Sequence, residues 1–94
     1  MQTRFEWDED KAGTNLRKHR VSFDEAQTVF LHELSITIPD PEHSQKEERL
    51  IIIGMSNKRR LLVVSFTERA RKIRLISARK ANRVERKKYE EDLT

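Results

Sequence analysis

Arg49-Leu-Ile-Ile-Ile-Gly-Met-Ser56, Leu61-Leu-Val-Val-Ser-Phe-Thr67 and Lys72-Ile-Arg-Leu-Ile-Ser-Ala78 follow one another closely, and each is rich in Ile, Leu and Val. Aliphatic and β-branched runs of this length, bounded by polar residues, predict three successive strands. The links between them, Asn57 to Arg60 and Glu68 to Arg71, are too short for a crossover. The strands must therefore turn back as antiparallel hairpins in a meander. Leu61 and Val63 fall on one face, Leu62, Val64 and Phe66 on the other. A sheet of this kind is expected to be covered by helices on one face and partly covered on the second.

Upstream, Ile36 and Ile38 alternate with Ser35 and Thr37, predicting a fourth strand. Pro39-Asp40-Pro41 ends any ladder there and opens a polar loop through Lys46. Asp8 to His19 reads as a first helix, acidic at its start and basic at its end, with Ala12 and Leu16 as a thin apolar stripe weakened by Gly13. Ser22-Phe23-Asp24-Glu25 has capping-box spacing and opens a second helix, with Val21 and Ala26 placed to close a hydrophobic staple. Asn82-Arg83-Val84-Glu85 repeats that spacing and opens a third helix running to about Glu91. Arg4 to Trp7 is a candidate for one more extended segment. The expected class is α+β: two N-terminal helices packed on a four-stranded, mainly antiparallel sheet, followed by a C-terminal helix.

The 94 residues fit a single domain spanning 1–94. The chain has no cysteine, which excludes disulfide frameworks, thiolate nucleophiles and thiolate metal sites. Its longest apolar run, Leu50 to Ile53, is too short to cross a bilayer, and Met1 to Trp7 lacks a signal-peptide core. A soluble cytoplasmic protein with no membrane partner is the expectation. Charge is unevenly spread: residues 1–56 carry seven Lys/Arg and eleven Asp/Glu, whereas residues 57–88 carry thirteen Lys/Arg against only Glu68 and Glu85. The tail after Lys88 adds Glu90, Glu91 and Asp92. A cationic stretch of this density concentrates polyanions, nucleic acid foremost, although a merely solvated surface reads the same way.

Gly13 and Gly54 are the only glycines and build neither a phosphate-binding loop nor a dinucleotide fingerprint. Asp40 with His43, and Asp8 with Asp10, lack third and fourth ligands, so loop and capping roles are expected and no metal or cofactor is called for. The chemistry that needs neither is cleavage of RNA by its own 2′-hydroxyl. It requires a base at the 2′-oxygen, cations around the phosphate and an acid for the departing 5′-oxygen. His19 is a proton-transfer candidate, with helix C-terminal charge complementarity as its structural alternative. Glu68 is a candidate base or a local partner of Arg69. Arg79 and Arg83 flank the strand-to-helix junction, where a phosphate could be held, or are simply surface residues. Catalytic roles are accordingly assigned to His19, Glu68, Arg69, Arg79 and Arg83. Lys18, Lys58, Arg59, Arg60, Arg74, Lys80 and Tyr89 are assigned to RNA binding, Tyr89 by stacking unless it is a packing anchor.

Phe5-Glu6-Trp7-Asp8, Lys11, Asn15, Lys18-His19, Val21-Ser22-Phe23, Glu25-Ala26 and Val29-Phe30 resemble the opening of the BrnT-type toxins. The likeness continues through Asp40, His43-Ser44, Glu48-Arg49, Ile53-Gly54, Ser56 and Thr67-Glu68-Arg69. It closes on Arg74-Leu75-Ile76-Ser77-Ala78-Arg79, Ala81, Glu85 and Tyr89. The resemblance implies a RelE-like fold and a ribonuclease toxin of a type II toxin-antitoxin system. It further implies a ribbon-helix-helix antitoxin that neutralises the toxin and, with it, represses the operon, so that operator DNA is met only through the antitoxin. Many relatives have glycine where this chain has Ala70. The function expected is metal-independent endoribonuclease action on RNA. A non-catalytic nucleic-acid-binding module and a protein-interaction adaptor are the alternatives.

Overall fold

The three apolar runs form the centre of a five-stranded sheet in a computed structural model that describes residues 4–40 and 48–93. The elements are β1 (Arg4–Glu6), α1 (Glu9–His19), α2 (Phe23–Thr28) continued by a 3-10 turn (Val29–Leu31), β2 (Ile36–Pro39), β3 (Arg49–Met55), β4 (Leu61–Arg69), β5 (Lys72–Lys80) and α3 (Arg83–Asp92). The strand order is β1-β5-β4-β3-β2. All neighbours are antiparallel except β1, which lies parallel to β5 with Phe5 opposite Ile73. The expected four-stranded sheet is thus corrected to five, and Arg4–Glu6 is the added strand. Its anchor is one ring: Phe5 meets Phe30 edge-on at 5.1 Å, and Phe30 meets Phe66 at 4.9 Å.

Register explains the core. Ile52 pairs with Val64, Val64 with Ala78, and Phe66 with Leu75. These five share one face and are buried against Val21, Phe23, Ala26 and Val29 of the α1–α2 layer. The opposite face carries Ile51, Ile53 and Val63 at one end, where α3 packs. Tyr89 of α3 is buried, and its hydroxyl donates to the Leu34 carbonyl at 2.8 Å. Burial raises the Tyr89 pKa above its ordinary value.

The caps divide into one full and one half box. Asn82 and Glu85 exchange both bonds at the start of α3. Ser22 accepts from the Glu25 amide at 3.0 Å, but the Glu25 carboxylate turns away from the box toward β3 and β4. Asp8 takes the capping role expected of it, accepting from the amides of Asp10 and Lys11. His43, the other half of the Asp40 pair, lies outside the described residues.

Two side chains finish the ladder where strands run out. Beyond the end of β1, the Asn15 amide stands in for a neighbouring strand: Nδ2 donates to the Ala78 carbonyl at 2.8 Å, and Oδ1 accepts from the Ala78 amide at 3.1 Å. The same Nδ2 donates to the Val21 carbonyl at 2.9 Å, tying α1, the following turn and β5 together. Past the start of β2, His32 Nδ1 accepts from the Met55 amide at 3.1 Å. That approach needs Gly54, since a Cβ there would sit 2.8 Å from Ser35 Cβ and 3.0 Å from Val29 Cγ1.

Both central hairpins put a non-glycine residue in the left-handed region, Arg59 at φ 60° and Ala70 at φ 55°. That conformation costs an L-residue about 1–2 kcal/mol, part of which glycine returns as unfolded-state entropy. Ala70→Gly is therefore expected to stabilise the fold by about 0.5–1 kcal/mol, read as a higher urea midpoint at constant slope. An unchanged midpoint would show that the turn carries no strain.

Candidate active site

A β-bulge between Ser65 and Phe66 leaves Ile76 of β5 as the extra residue. Bulges re-aim side chains and are frequent beside active sites. Here Ile76 lines an open cleft of about 330 Å³ between β5 and α1, together with Asp10, Lys11, Thr14, Asn15, Lys18, His19 and Ser77. The helical spacing of Lys11, Asn15 and Lys18 sets them along one face of α1, and Asn15 fixes that face against Ala78. His19 ends the helix, followed by Arg20 in the left-handed C-cap. Two residues assigned from sequence, His19 and Lys18, thus share one cleft. Among the described residues, no group of three His, Asp or Glu side chains comes together as metal ligands.

Arg79 lies two residues beyond Ser77 on β5, roughly 7 Å along the strand and on the same sheet face, the one under α3. Its guanidinium makes a fork to Glu85, with Nη1 to Oε1 and Nη2 to Oε2 both at 2.7 Å. The pair raises the Arg79 pKa and holds the Glu85 carboxyl below the usual range. Arg83 opens α3 nearby and is exposed.

The same sheet face carries a run of cations. Arg49 and Arg74 both pair with Thr67, while Arg69 pairs with Lys72, which itself pairs with Arg4. Glu6 approaches Arg74 at 4.0 Å. Glu68 and Arg69, however, stand at the far end of the β4–β5 ladder. Val63 opposes Arg79 and Arg69 opposes Lys72, so the two ends are roughly 20 Å apart at about 3.3 Å per residue. The register does not bring Glu68 and Arg69 to Arg79.

Lys58 and Arg59 are exposed on the β3–β4 hairpin, and Lys80 is exposed at the end of β5. Arg60 and Tyr89 are different. Arg60 is committed inward, with Nε donating to Glu25 Oε2 at 2.9 Å, Nη2 to Glu25 Oε1 and to the Arg20 carbonyl at 3.0 Å. Ser56 Oγ donates to the same carboxylate at 2.7 Å. The Glu25 side chain is 1% exposed, and the Arg60 fork beside it keeps its pKa low. Arg60 is thus a structural clamp, and Tyr89, 6% exposed, is a packing anchor with no free face for stacking. Asn15 and Glu85 were not singled out for these roles from sequence. An amide one turn from Ala12 on a thin apolar stripe, and an acid in the only other capping box, were the available signals.

Arg60→Met removes the charge that answers a buried carboxylate, and should cost about 2–3 kcal/mol, less than a fully buried pair because Arg60 is partly solvated. Since the folded pKa of Glu25 lies below its ordinary 4.5, the pair's contribution is complete above that value and disappears as pH falls through the lowered one. Chemical denaturation of wild type and variant between neutral pH and pH 3 should therefore show their difference shrinking with acid. A constant difference would remove the ion pair as its cause.

A family model described as "Ribonuclease toxin, BrnT, of type II toxin-antitoxin system" matches residues 7–85. The 1.1 Å crystal structure of the Brucella abortus ribonuclease toxin BrnT superposes with a TM-score of 0.69 at 25% identity, covering 87% of this chain and 100% of that one. No curated protein sequence matches significantly. With a family match running from Trp7 to Glu85 and a shared α+β architecture, the chain belongs to the BrnT family of ribonuclease toxins of type II toxin-antitoxin systems.

Proposed function

We propose that the protein cleaves RNA by metal-independent attack of the 2′-hydroxyl, and that the cleft where His19 and Lys18 meet the bulged edge of β5 is where the chemistry occurs. The observation that carries this reading is that one strand, β5, presents His19 and Lys18 across its edge at Ser77 and Arg79 two residues further on. RNA crossing β5 there has a proton-transfer group on one side and phosphate-binding cations on the other. His19 moves the proton. Lys18 and Arg79 carry the charge that builds on the phosphate, with Arg83 beside the junction. Arg74 and Arg69, with Glu68 at the hairpin tip, line the onward path of the chain rather than the reacting phosphate, and Lys58, Arg59 and Lys80 add long-range attraction.

Growth arrest in the cytoplasm, neutralisation by a ribbon-helix-helix antitoxin and operon repression by the complex complete the reading. Two helices on one face of a largely antiparallel sheet support the RelE-like description. The deciding experiment maps RNA 5′-ends after induction and repeats cleavage with purified protein in chelator. The mechanism requires 5′-hydroxyl and cyclic-phosphate ends, and no cleavage of DNA. Protein that shifts RNA in a gel and leaves it uncut would favour the non-catalytic binding module instead.

A further inference from the structure

Thr67 stands on the central strand β4, opposite Arg49 of β3 on one side and Arg74 of β5 on the other. Phe66 before it belongs to the core, so by alternation Thr67 faces the other side of the sheet. The residue is 2% exposed, and its Oγ1 has no hydrogen-bond partner among the described residues. A buried hydroxyl in that state has given up water and gained nothing in return. Exceptions of this kind are rare enough to require a cause, and a missing ligand is one. The flanking residues define its chemistry. Arg49 and Arg74 are half-buried, and a guanidinium can only donate. Arg74 approaches Glu6 at 4.0 Å with the two side chains 36% and 34% exposed, which is a weak hold. Arg4, Arg69 and Lys72 form the next row and add positive charge, while Glu6 and Asp40 are the acids at the two ends of the Thr67 row. A hydroxyl between two donor forks matches an anion with several acceptor oxygens, phosphate foremost. Nothing aromatic stands between Arg49 and Arg74, so the row suits the nucleic-acid backbone and not a base.

We propose that Arg49, Thr67 and Arg74 form a phosphate subsite that holds the RNA phosphate neighbouring the reacting one, with the Thr67 hydroxyl and both guanidinium groups donating to its oxygens. The inference rests on the ribonuclease reading for the identity of the ligand. Two strand spacings separate Arg49 from Arg74, about 10 Å, which side chains of that length span from either side of one phosphate. Two residues along β4 from Thr67, Ser65 stands opposite Ser77, and Ser77 lines the cleft of His19 and Lys18. The subsite is thus about 7 Å along the strand from that row. A chain anchored at Thr67 is thereby set in register with the proton-transfer group.

The test is fluorescence-anisotropy binding of a short 2′-O-methyl RNA, which has no free 2′-hydroxyl and stays intact, to the wild-type chain and to Thr67→Val, Thr67→Ser and Arg74→Gln. Thr67→Val keeps the shape and removes the orphaned hydroxyl, so its melting temperature should equal or exceed that of wild type while binding weakens about tenfold. Thr67→Ser restores the hydroxyl and should bind close to wild type. Arg74→Gln should weaken binding and lower the slope of log affinity against log salt by about 0.7. Arg74 is partly exposed, so that variant carries the test if Thr67→Val melts early. Oligonucleotides with one neutral methylphosphonate at successive positions complete it: at one position the loss caused by Thr67→Val should vanish, because the phosphate charge it serves is already gone. Wild-type affinity in both Thr67→Val and Arg74→Gln overturns the proposal and leaves the hydroxyl to a bound water. So does a Thr67→Val loss that persists with every methylphosphonate, or inorganic phosphate that binds the wild type more tightly than Thr67→Val while RNA binding is unchanged. Binding does not use catalysis: RNA held through Thr67 yet never cut counts against the ribonuclease reading, and cleavage with unchanged affinity in the variants counts against the subsite.

Discussion

Asn15→Asp is expected to lower the stability of the fold by about 3–5 kcal/mol, although it changes a single amide nitrogen to oxygen. Asn15 is 6% exposed and makes three hydrogen bonds to backbone groups, two of them as a donor. The replacement is nearly isosteric, so no cavity contributes. As a carboxylate it brings negative charge against the carbonyl oxygens of Val21 and Ala78 with nothing to donate. As a neutral acid it can donate to only one of them. Either form leaves a buried backbone acceptor unpaired, and the ionised form adds an uncompensated buried charge. Because burial favours the neutral acid, the variant should lose stability as pH rises, the opposite trend to that of the Glu25 clamp. Urea titrations at two pH values read both effects, as a lower midpoint and as its movement with pH. A loss below about 1 kcal/mol would mean that water replaces Asn15 at the strand edge.

The size of that effect shows where sequence reading stops. The meander was legible because β3, β4 and β5 are long aliphatic runs joined by short links, and both their faces are buried at least in part. Two helix starts were legible because Ser22 and Asn82 carry caps that act locally. β1 was visible only as a candidate, since three residues with one core-facing ring, Phe5, leave no periodicity to detect. Its partner, β5, is remote in the chain and parallel. Asn15 closes a strand edge through Ala78, and Glu25 answers Arg60. Both are long-range pairings that composition does not encode. Segment charge marked the basic stretch but could not separate an arginine facing solvent from Arg60, which faces a buried acid. His19 was legible because it is the one histidine on α1 and could be weighed singly, and Lys18 is its basic neighbour in the last turn. The cleft that joins them to β5 depends on a bulge at Ile76, which no local pattern announces.

His19→Ala is the substitution with the largest expected effect on activity, a drop of about 10²–10⁴-fold in cleavage rate. The competing account of His19 is structural. It ends α1, where a basic side chain complements the helix C-terminus, and that role is worth only about 0.3–1 kcal/mol. The two accounts separate cleanly. A C-terminal charge contributes to stability and leaves the rate per folded molecule untouched, whereas a proton-transfer group sets the rate and its pH dependence. His19→Gln sharpens the contrast, because it keeps a polar side chain of similar reach that cannot exchange a proton near neutrality. Single-turnover cleavage of a defined RNA should show both variants slowed by the same large factor, with one limb of the wild-type pH–rate profile missing and melting temperatures close to wild type. His19→Lys restores the helix-end charge, so recovery of full activity in that variant would assign His19 to the helix and move the chemistry to another group in the cleft. Continued loss with charge restored leaves the imidazole as the proton carrier, since Lys18, its cationic neighbour, stays in place throughout.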